Sequence, residues 1–450
     1  MPNSVADFFY SLTGDKVDLP LREGKLAHRG IEHFIFFHHE PLGPIRLEEL
    51  DLGRTGYAGS VARLRLLFWI AERGHRVDLV GNVQDGVRRG VRARSGYQGL
   101  EAALADAGDA GAVLVLNNLP TEMEWNRIRR LGAGPLMRLA WVGNHLNSVW
   151  MRRLARGELD GAVCVSHWQR ETFRIFPRFE RIEVSYCGVD LDLIEQVCPS
   201  SFDAPVVLSI SIPRRSKGFH NLLSAWRMVR AARPDARLRV CGSARMHWPD
   251  LVLGKTGILD ADLEADFPDF FGDYPKSADR FGIELMGMCS LPQVHADLRG
   301  AAVAVVNCNR RGAVETYCRT AVEAQLCGVP VVGAYAGSLP EVVADGKTGL
   351  LVKEQTASAI ADAILLLLND SALRARMATE GSRWARPLGD LRSIAADWEA
   401  IAERAWKGQP APAAARPVPD LLRGFGVGRA RTWLRERLRE TQILERDRAG

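Results

Sequence analysis

The sequence predicts an α/β protein built from two doubly wound parallel sheets, and three observations carry that expectation. The chain is 450 residues long, whereas one hydrophobic core stops growing at roughly 250–300 residues, so two domains are expected. Short β-rich runs alternate with stretches of helical periodicity along the chain, which implies right-handed crossovers between parallel strands. The runs are apolar nearly throughout instead of alternating, as strands covered on both faces should be.

In the first half the β-rich runs fall at 33–37, 76–81, 112–116, 138–142, 161–165 and 181–185. Helical stretches lie between them at 60–73, 97–107, 121–131 and 167–176. A stretch at 191–204, containing Cys, Pro and Ser, reads as a linker. The second series has strands at 205–210, 237–241, 282–285, 302–306, 329–332 and 349–352, with helices at 219–232, 292–298, 315–327, 339–344 and 357–369. Between 246 and 280 stand eight Asp and Glu among Phe and Pro, a mixture that builds no parallel strand and is expected to be an insertion loop. A helix at 392–406, a Pro/Ala linker at 409–419 and a basic tail follow.

Composition excludes several classes. At 47% hydrophobic and 25% charged the chain sits on globular averages, so disorder, collagen and coiled coil are ruled out as overall descriptions. The longer apolar runs fall far short of the roughly 20 residues a membrane span needs. The N-terminus lacks a basic region followed by an apolar stretch, so no secretory signal is read there and a soluble, cytoplasmic protein is expected. A net charge of +5 is too small to argue for nucleic acid. The eight cysteines make no C-x-x-C pair and several sit in apolar runs, which points to buried free thiols in a reducing compartment. His38-His39 with Glu40 lacks the context of a metal site.

The strongest constellation contains Glu315 and Glu323. On one helix, eight residues bring two carboxylates about 80° apart and roughly 12 Å along a shared face. Glu315 would then occupy the first turn, beside free backbone N–H groups and the positive end of the dipole, a place that attracts phosphate.

These residues and their neighbours resemble the retaining glycosyltransferases of family 4, within glycosyl transferases group 1. That family's mark is Glu, seven residues, Glu, then Ala and a run ending Gly-Val-Pro-Val-Val; here it stands as Glu315, Glu323, Ala324 and Gly328-Val329-Pro330-Val331-Val332. The likeness continues through Gly337, Leu339-Pro340-Glu341 and Asp345-Gly346-Lys347-Thr348-Gly349. Lys217-Gly218-Phe219 matches the family's Lys-Gly segment, and Gly242 the glycine closing its next strand. The first domain matches more loosely through Gly56-Tyr57-Ala58-Gly59, Arg73-Gly74-His75, and His145 with Asn144 after a strand.

The resemblance implies the GT-B fold, two Rossmann-like doubly wound domains facing across a cleft. It divides the chain into an acceptor-side domain at 1–198, a nucleotide-sugar-binding domain at 199–390 and a helix at 391–407 returning to the first domain; a linker at 408–420 and a basic amphipathic tail at 421–450 complete the reading. It implies transfer of a sugar from a nucleoside diphosphate with retained configuration, by front-side attack, in a fold the family uses without a metal or other cofactor. Lys217 would neutralise the leaving diphosphate, Glu315 would face the donor sugar, and Glu323 would hold the ribose. His145 would line the cleft, while Gly56, Gly59, Arg214, Arg215, Gly242 and the segment Thr316-Tyr317-Cys318-Arg319 would contact the donor. Two departures stand out. Ile212 replaces an arginine usual before the lysine, and Thr316-Tyr317-Cys318 replaces Gly-Phe-Gly.

The tail holds eight Arg against four acids, with Ala430, Leu434 and Leu438 as an apolar stripe. It is read as a helix packed on its own protein or on a second subunit in a homodimer, with contact to an anionic membrane as the alternative. The expected partners are the nucleotide-sugar donor and a small-molecule, glycan or lipid-linked acceptor. Other readings stay open: a phosphorylase or epimerase on the same fold, or a non-catalytic binding relic.

Overall fold

The computed structural model describes residues 31–38, 44–53, 62–108, 111–117, 120–130, 136–143, 148–174, 178–246, 248, 250–310 and 314–413. They divide into two compact units, unit 1 drawing on described residues of 67–185, a segment before 48 and 395–413, unit 2 on described residues of 48–66 and 186–394. This division falls thirteen residues before the boundary expected at 198, because Tyr186 and Asp190 pair inside unit 2: Tyr186 Oη donates to Glu341 Oε1 at 2.8 Å, and Asp190 forms a buried ion pair with Arg65.

Unit 1 is laid out around β1 (Ile31–His38), β2 (Arg76–Gly81), β3 (Gly86–Arg88), β4 (Val91–Ser95), β5 (Gly111–Leu116), β6 (Leu136–Val142), β7 (Gly161–Cys164) and β8 (Ile182–Val184). Their order across the sheet is β3-β4-β2-β1-β5-β6-β7-β8, parallel except for the β3–β4 hairpin. The hairpin had no counterpart among the expected strands, since its short polar arms carry no buried run. Every residue of β5 is buried, as a strand covered on both faces demands. Buried charge is paired: His33 Nε2 lies 2.6 Å from Asp78 Oδ2, and Arg94 Nε donates to Asp78 Oδ1 at 2.8 Å. The helix Leu391–Trp406 enters unit 1 at residue 395. There Trp398 packs its ring 4.9 Å from that of Trp141 and 5.9 Å from that of Phe36, while Arg404 Nε and Glu183 Oε1 pair at 2.9 Å.

Unit 2 carries β9 (Val206–Ile210), β10 (Arg237–Cys241), β11 (Ile283–Gly287), β12 (Val303–Val305), β13 (Val331–Ala334) and β14 (Gly349–Val352). Their order is β11-β10-β9-β12-β13-β14, and every pair is parallel. From β9 the chain winds one way to β10 and β11, then from β12 the other way to β13 and β14. The reversal lies between β9 and β12, and ligands of open parallel sheets bind outside the carboxyl ends of the strands at such a point.

Two expectations about loops are corrected. The stretch at 191–204 begins with a helix, Leu191–Gln196, capped by Asp190. The acidic stretch at 246–280 is helical, with Ala261–Ala265, Pro268–Phe271 and Lys276–Arg280. Leu263, Phe267, Phe270 and Phe271 recur at helical spacing and enter the unit 2 core with Trp226, so the acids mark only the wet side. Arg227 of the helix Phe219–Ala232 clasps Asp269 through two bonds of 2.8 Å. No helix among the described residues is long and apolar enough to cross a membrane.

Candidate functional site

The loops leaving β9 and β12 meet at the reversal of the unit 2 sheet. After β9 the chain makes a short 3-10 turn, Arg215–Lys217, and Gly218 starts the helix Phe219–Ala232. Gly218 has φ +76°, and a Cβ there would lie 2.5 Å from the carbonyl carbon of Cys308 and 2.7 Å from Asn309 N. Glycine is required twice over, by the left-handed backbone and by the touching loop. The two loops are stitched together: Cys308 N donates to Lys217 O at 3.2 Å, and Asn309 Nδ2 donates to Arg215 O at 3.2 Å and Ser216 O at 3.0 Å.

That stitching sets Lys217 against Glu315. Lys217 Nζ lies 2.7 Å from Glu315 Oε1, which also accepts from Asn307 Nδ2 at 3.1 Å. Both charged side chains keep about a fifth of their surface, 22% and 18%, so the pair can be reached from solvent. Lys217 has three N–H donors and spends one on Glu315. The structure therefore brings together two residues 98 apart in sequence. Asn307 and Asn309 were not foreseen; two amides ending an apolar run, in Val305-Val306-Asn307-Cys308-Asn309, were the available signal.

Glu315 itself is not in a helix. The helix expected at 315–327 runs over Arg319–Leu326 only, so the shared-face geometry of the two carboxylates does not hold. Glu315 is fastened in the preceding loop instead: Ser338 N donates to Glu315 O at 2.9 Å, and Gly337, with φ +60°, lies so close that a Cβ would meet Glu315 O at 2.5 Å. The side chains after it turn inward. Tyr317 is buried and its hydroxyl donates to Leu388 O at 2.8 Å; Thr316 is buried as well. Cys318 is 2% exposed, and burial, helped by the charge of Glu315, pushes its thiol up to about 12. It is no thiolate nucleophile.

Glu323 is 3% exposed. Arg319 Nη2 stands 3.0 Å from its Oε1 and His295 Nε2 stands 3.6 Å away. Burial pushes the Glu323 carboxyl up, but the Arg319 charge and His295 outweigh it and hold the group below its ordinary range. A carboxylate kept ionised accepts hydrogen bonds and donates none, which suits it to hydroxyl groups. His295, within the helix Leu291–Gly300, was not foreseen and carries no sequence signal beyond being polar among apolar neighbours.

The remaining expected residues are distributed as follows. Gly242 closes β10 with φ +140°, where a Cβ would strike Ser211 O at 2.2 Å. Arg214 lies with its guanidinium carbon 4.2 Å over the Trp248 ring, and Arg215 is ion-paired to Asp266; both arginines are thus engaged by the acidic stretch. Gly56, Gly59, Asn144, His145, His39 and the tail at 421–450 lie outside the described residues. His38 places its Nδ1 2.7 Å from the Asn117 amide, at the ends of β1 and β5, where the unit 1 sheet reverses.

Comparison with known proteins adds three findings. Residues 282–384 match the family described as glycosyl transferases group 1. The chain is 28% identical over 255 residues to D-inositol 3-phosphate glycosyltransferase of Arthrobacter sp. (strain FB24), covering 54% of this chain and 53% of that protein. It is 34% identical over 188 residues to the GDP-mannose-dependent alpha-(1-6)-phosphatidylinositol monomannoside mannosyltransferase of Mycolicibacterium smegmatis, covering 41% of this chain and 44% of that one. The chain thus spans about half the length of these relatives. Among solved structures, Anabaena Alr3699/HepE in complex with UDP-glucose is alike with a TM-score of 0.57 at 17% identity, over 82% of this chain and 98% of the other. The two Rossmann-like sheets and this likeness give the chain the GT-B architecture.

Proposed function

From a chain that carries a glycosyl transferases group 1 segment on a GT-B fold, we propose a retaining glycosyltransferase acting on a nucleoside-diphosphate sugar. The observation that carries the reading is the Lys217–Glu315 contact at the reversal of the unit 2 sheet. A fixed ammonium there supplies the positive charge that a leaving diphosphate needs, and its two remaining N–H groups reach phosphate oxygens while Glu315 keeps it in place. Glu315 faces the sugar, and Glu323 accepts the ribose hydroxyls. No metal is assigned, because Lys217 fills that electrostatic role.

The reaction is a single exchange at the anomeric carbon. The bond to the diphosphate oxygen breaks, the acceptor hydroxyl oxygen bonds on the same face, and the departing phosphate takes the hydroxyl proton. The protein contributes position and charge stabilisation. The relatives' names support a hydroxylated polyol or glycan acceptor, and a GDP or UDP sugar as donor.

The test is incubation with UDP-glucose and GDP-mannose, with and without an inositol phosphate, followed by mass spectrometry of the products. Transfer to the acceptor, or slow hydrolysis of one donor in its absence, is expected. Tight donor binding with no turnover would leave a binding relic in place of an enzyme. In the active pairing, Lys217→Ala should reduce turnover roughly 10²–10³-fold; an unchanged rate would remove Lys217 from the chemistry.

A further inference from the structure

Two buried histidines stand beside a buried carboxylate, and they do so differently. His33 is closed on Asp78, with 2.6 Å between Nε2 and Oδ2. His295 brings its Nε2 only to 3.6 Å from Glu323 Oε1, outside the 2.7–3.2 Å of an ordinary hydrogen bond. Neither ring nitrogen of His295 has a hydrogen-bond partner among the described residues, and neither has Glu323 Oε1. Arg319 Nη2 lies 3.0 Å from that oxygen without an aligned hydrogen bond to it.

The helix that carries His295, Leu291–Gly300, shows what a saturated buried group looks like. Asp297 stands two residues on, turned by about 200° around the axis, and is also fully buried. It accepts from Ser200 Oγ at 2.7 Å, from Gln293 Nε2 at 2.9 Å and from Arg239 Nε at 2.9 Å. One side of the helix is thus bonded to capacity, while the other turns an unused imidazole toward Glu323. Buried polar groups in a finished fold are hydrogen-bonded, so an open pair needs a reason. Arg319 is poorly placed to fix the carboxylate. It opens the helix Arg319–Leu326, where the dipole repels a cation, and a basic residue four before an acid is the weaker order of such a pair.

We propose that His295 is the positioning residue for Glu323: when a nucleoside diphosphate binds, the carboxylate closes on the Nε2–H of His295 and turns its other oxygen to the ribose hydroxyls. Closure needs a shift of about 0.5 Å. A carboxylate accepts at both oxygens, so one bond to His295 leaves the second oxygen for the ligand. His295 has no exposed surface and acts only through Glu323, as a residue locked behind a binding group does. Its contribution is to discrimination between ribose and deoxyribose. The inference rests on the reading of Glu323 as the ribose acceptor.

The test is calorimetry on the full chain with UDP, GDP and their 2′-deoxy counterparts. Wild-type protein should bind the better ribonucleotide about 10-fold or more tightly than its deoxy form. In His295→Phe that ratio should fall to within about 2–3-fold, and His295→Gln, whose amide carries an N–H on a side chain of similar reach, should restore most of it. A merely structural role would lower the melting temperature and move both affinities together, leaving the ratio intact. Wild-type discrimination retained in His295→Phe would overturn the role of His295 alone. A wild-type protein that binds neither nucleotide, or binds ribose and deoxyribose forms equally, would overturn the ribose reading of Glu323 and this inference with it. His295→Leu carries the same test if the phenylalanine does not fit, because the ratio is measured within one folded protein.

Discussion

Glu323 is one side chain whose contribution can be measured directly. It is buried, ionised and held by Arg319 and His295, so Glu323→Gln keeps its size and removes the charge. Loss of charged hydrogen bonds to a ribose should weaken nucleoside diphosphate binding by about 1.5–3 kcal/mol, read by calorimetry on UDP and GDP. An unchanged affinity would leave Glu323 with a packing role. Asp78 offers a test of stability. Burial raises its carboxyl, but His33 and Arg94 pull it below the ordinary range on balance. A depressed folded value means that its stabilisation is present above the unfolded carboxyl value of about 3.9 and is lost as pH falls through the folded value. Asp78→Asn should cost about 3–5 kcal/mol where the charge is present, because it leaves Arg94 and His33 with half a partner. Melting curves should show a wide gap between the two proteins at about pH 5–6 that narrows below about pH 4; a gap independent of pH would contradict the assignment.

At the scale of elements, the site depends on how two loops touch. Gly218→Ala would force a side chain into the Cys308–Asn309 backbone at a positive φ. A strained non-glycine residue there costs about 1–3 kcal/mol, and relief of the clash must part the two loops. A lower melting temperature together with a fall in turnover comparable to that of Lys217→Ala is expected, because Lys217 and Glu315 sit on opposite sides of that contact. Full activity in a destabilised protein would show that the contact serves folding alone. The start of the helix Arg319–Leu326 matters in the same way. Releasing Thr316, Tyr317 and Cys318 from the helix lets Tyr317 anchor to Leu388 O and leaves Glu315 on a loop that can lean toward Lys217.

At the scale of the whole chain, unit 1 is completed by its last described helix. Trp398 fills a space between Trp141 and Phe36, and truncating a buried tryptophan costs about 3–5 kcal/mol. Trp398→Ala should therefore raise amide hydrogen exchange in β5 of unit 1 and leave β12 of unit 2 near its wild-type protection. Equal loss in both strands would mean that the two units unfold as one. The tethering is also covalent logic: residues 48–66 and 186–394 belong to unit 2 while residues on both sides of them belong to unit 1, so neither unit is a continuous piece of sequence.

Much of this was legible beforehand, because period and composition act locally. Buried parallel strands must be apolar on both faces, so β1, β2, β5, β9, β10 and β14 stand out in the sequence within two residues of their observed bounds. The Lys217 segment and the Glu315–Glu323 block are similarly local. What no local pattern carries is which strands lie side by side. The reversal between β9 and β12 arises only when six strands choose their neighbours, and that choice alone sets Lys217 against Glu315 and Asn307. The buried pairs of Arg65 with Asp190 and Glu323 with His295 arise the same way. A charge accepts burial once a partner from elsewhere in the chain is folded against it, and that partner's identity is a property of the packed molecule.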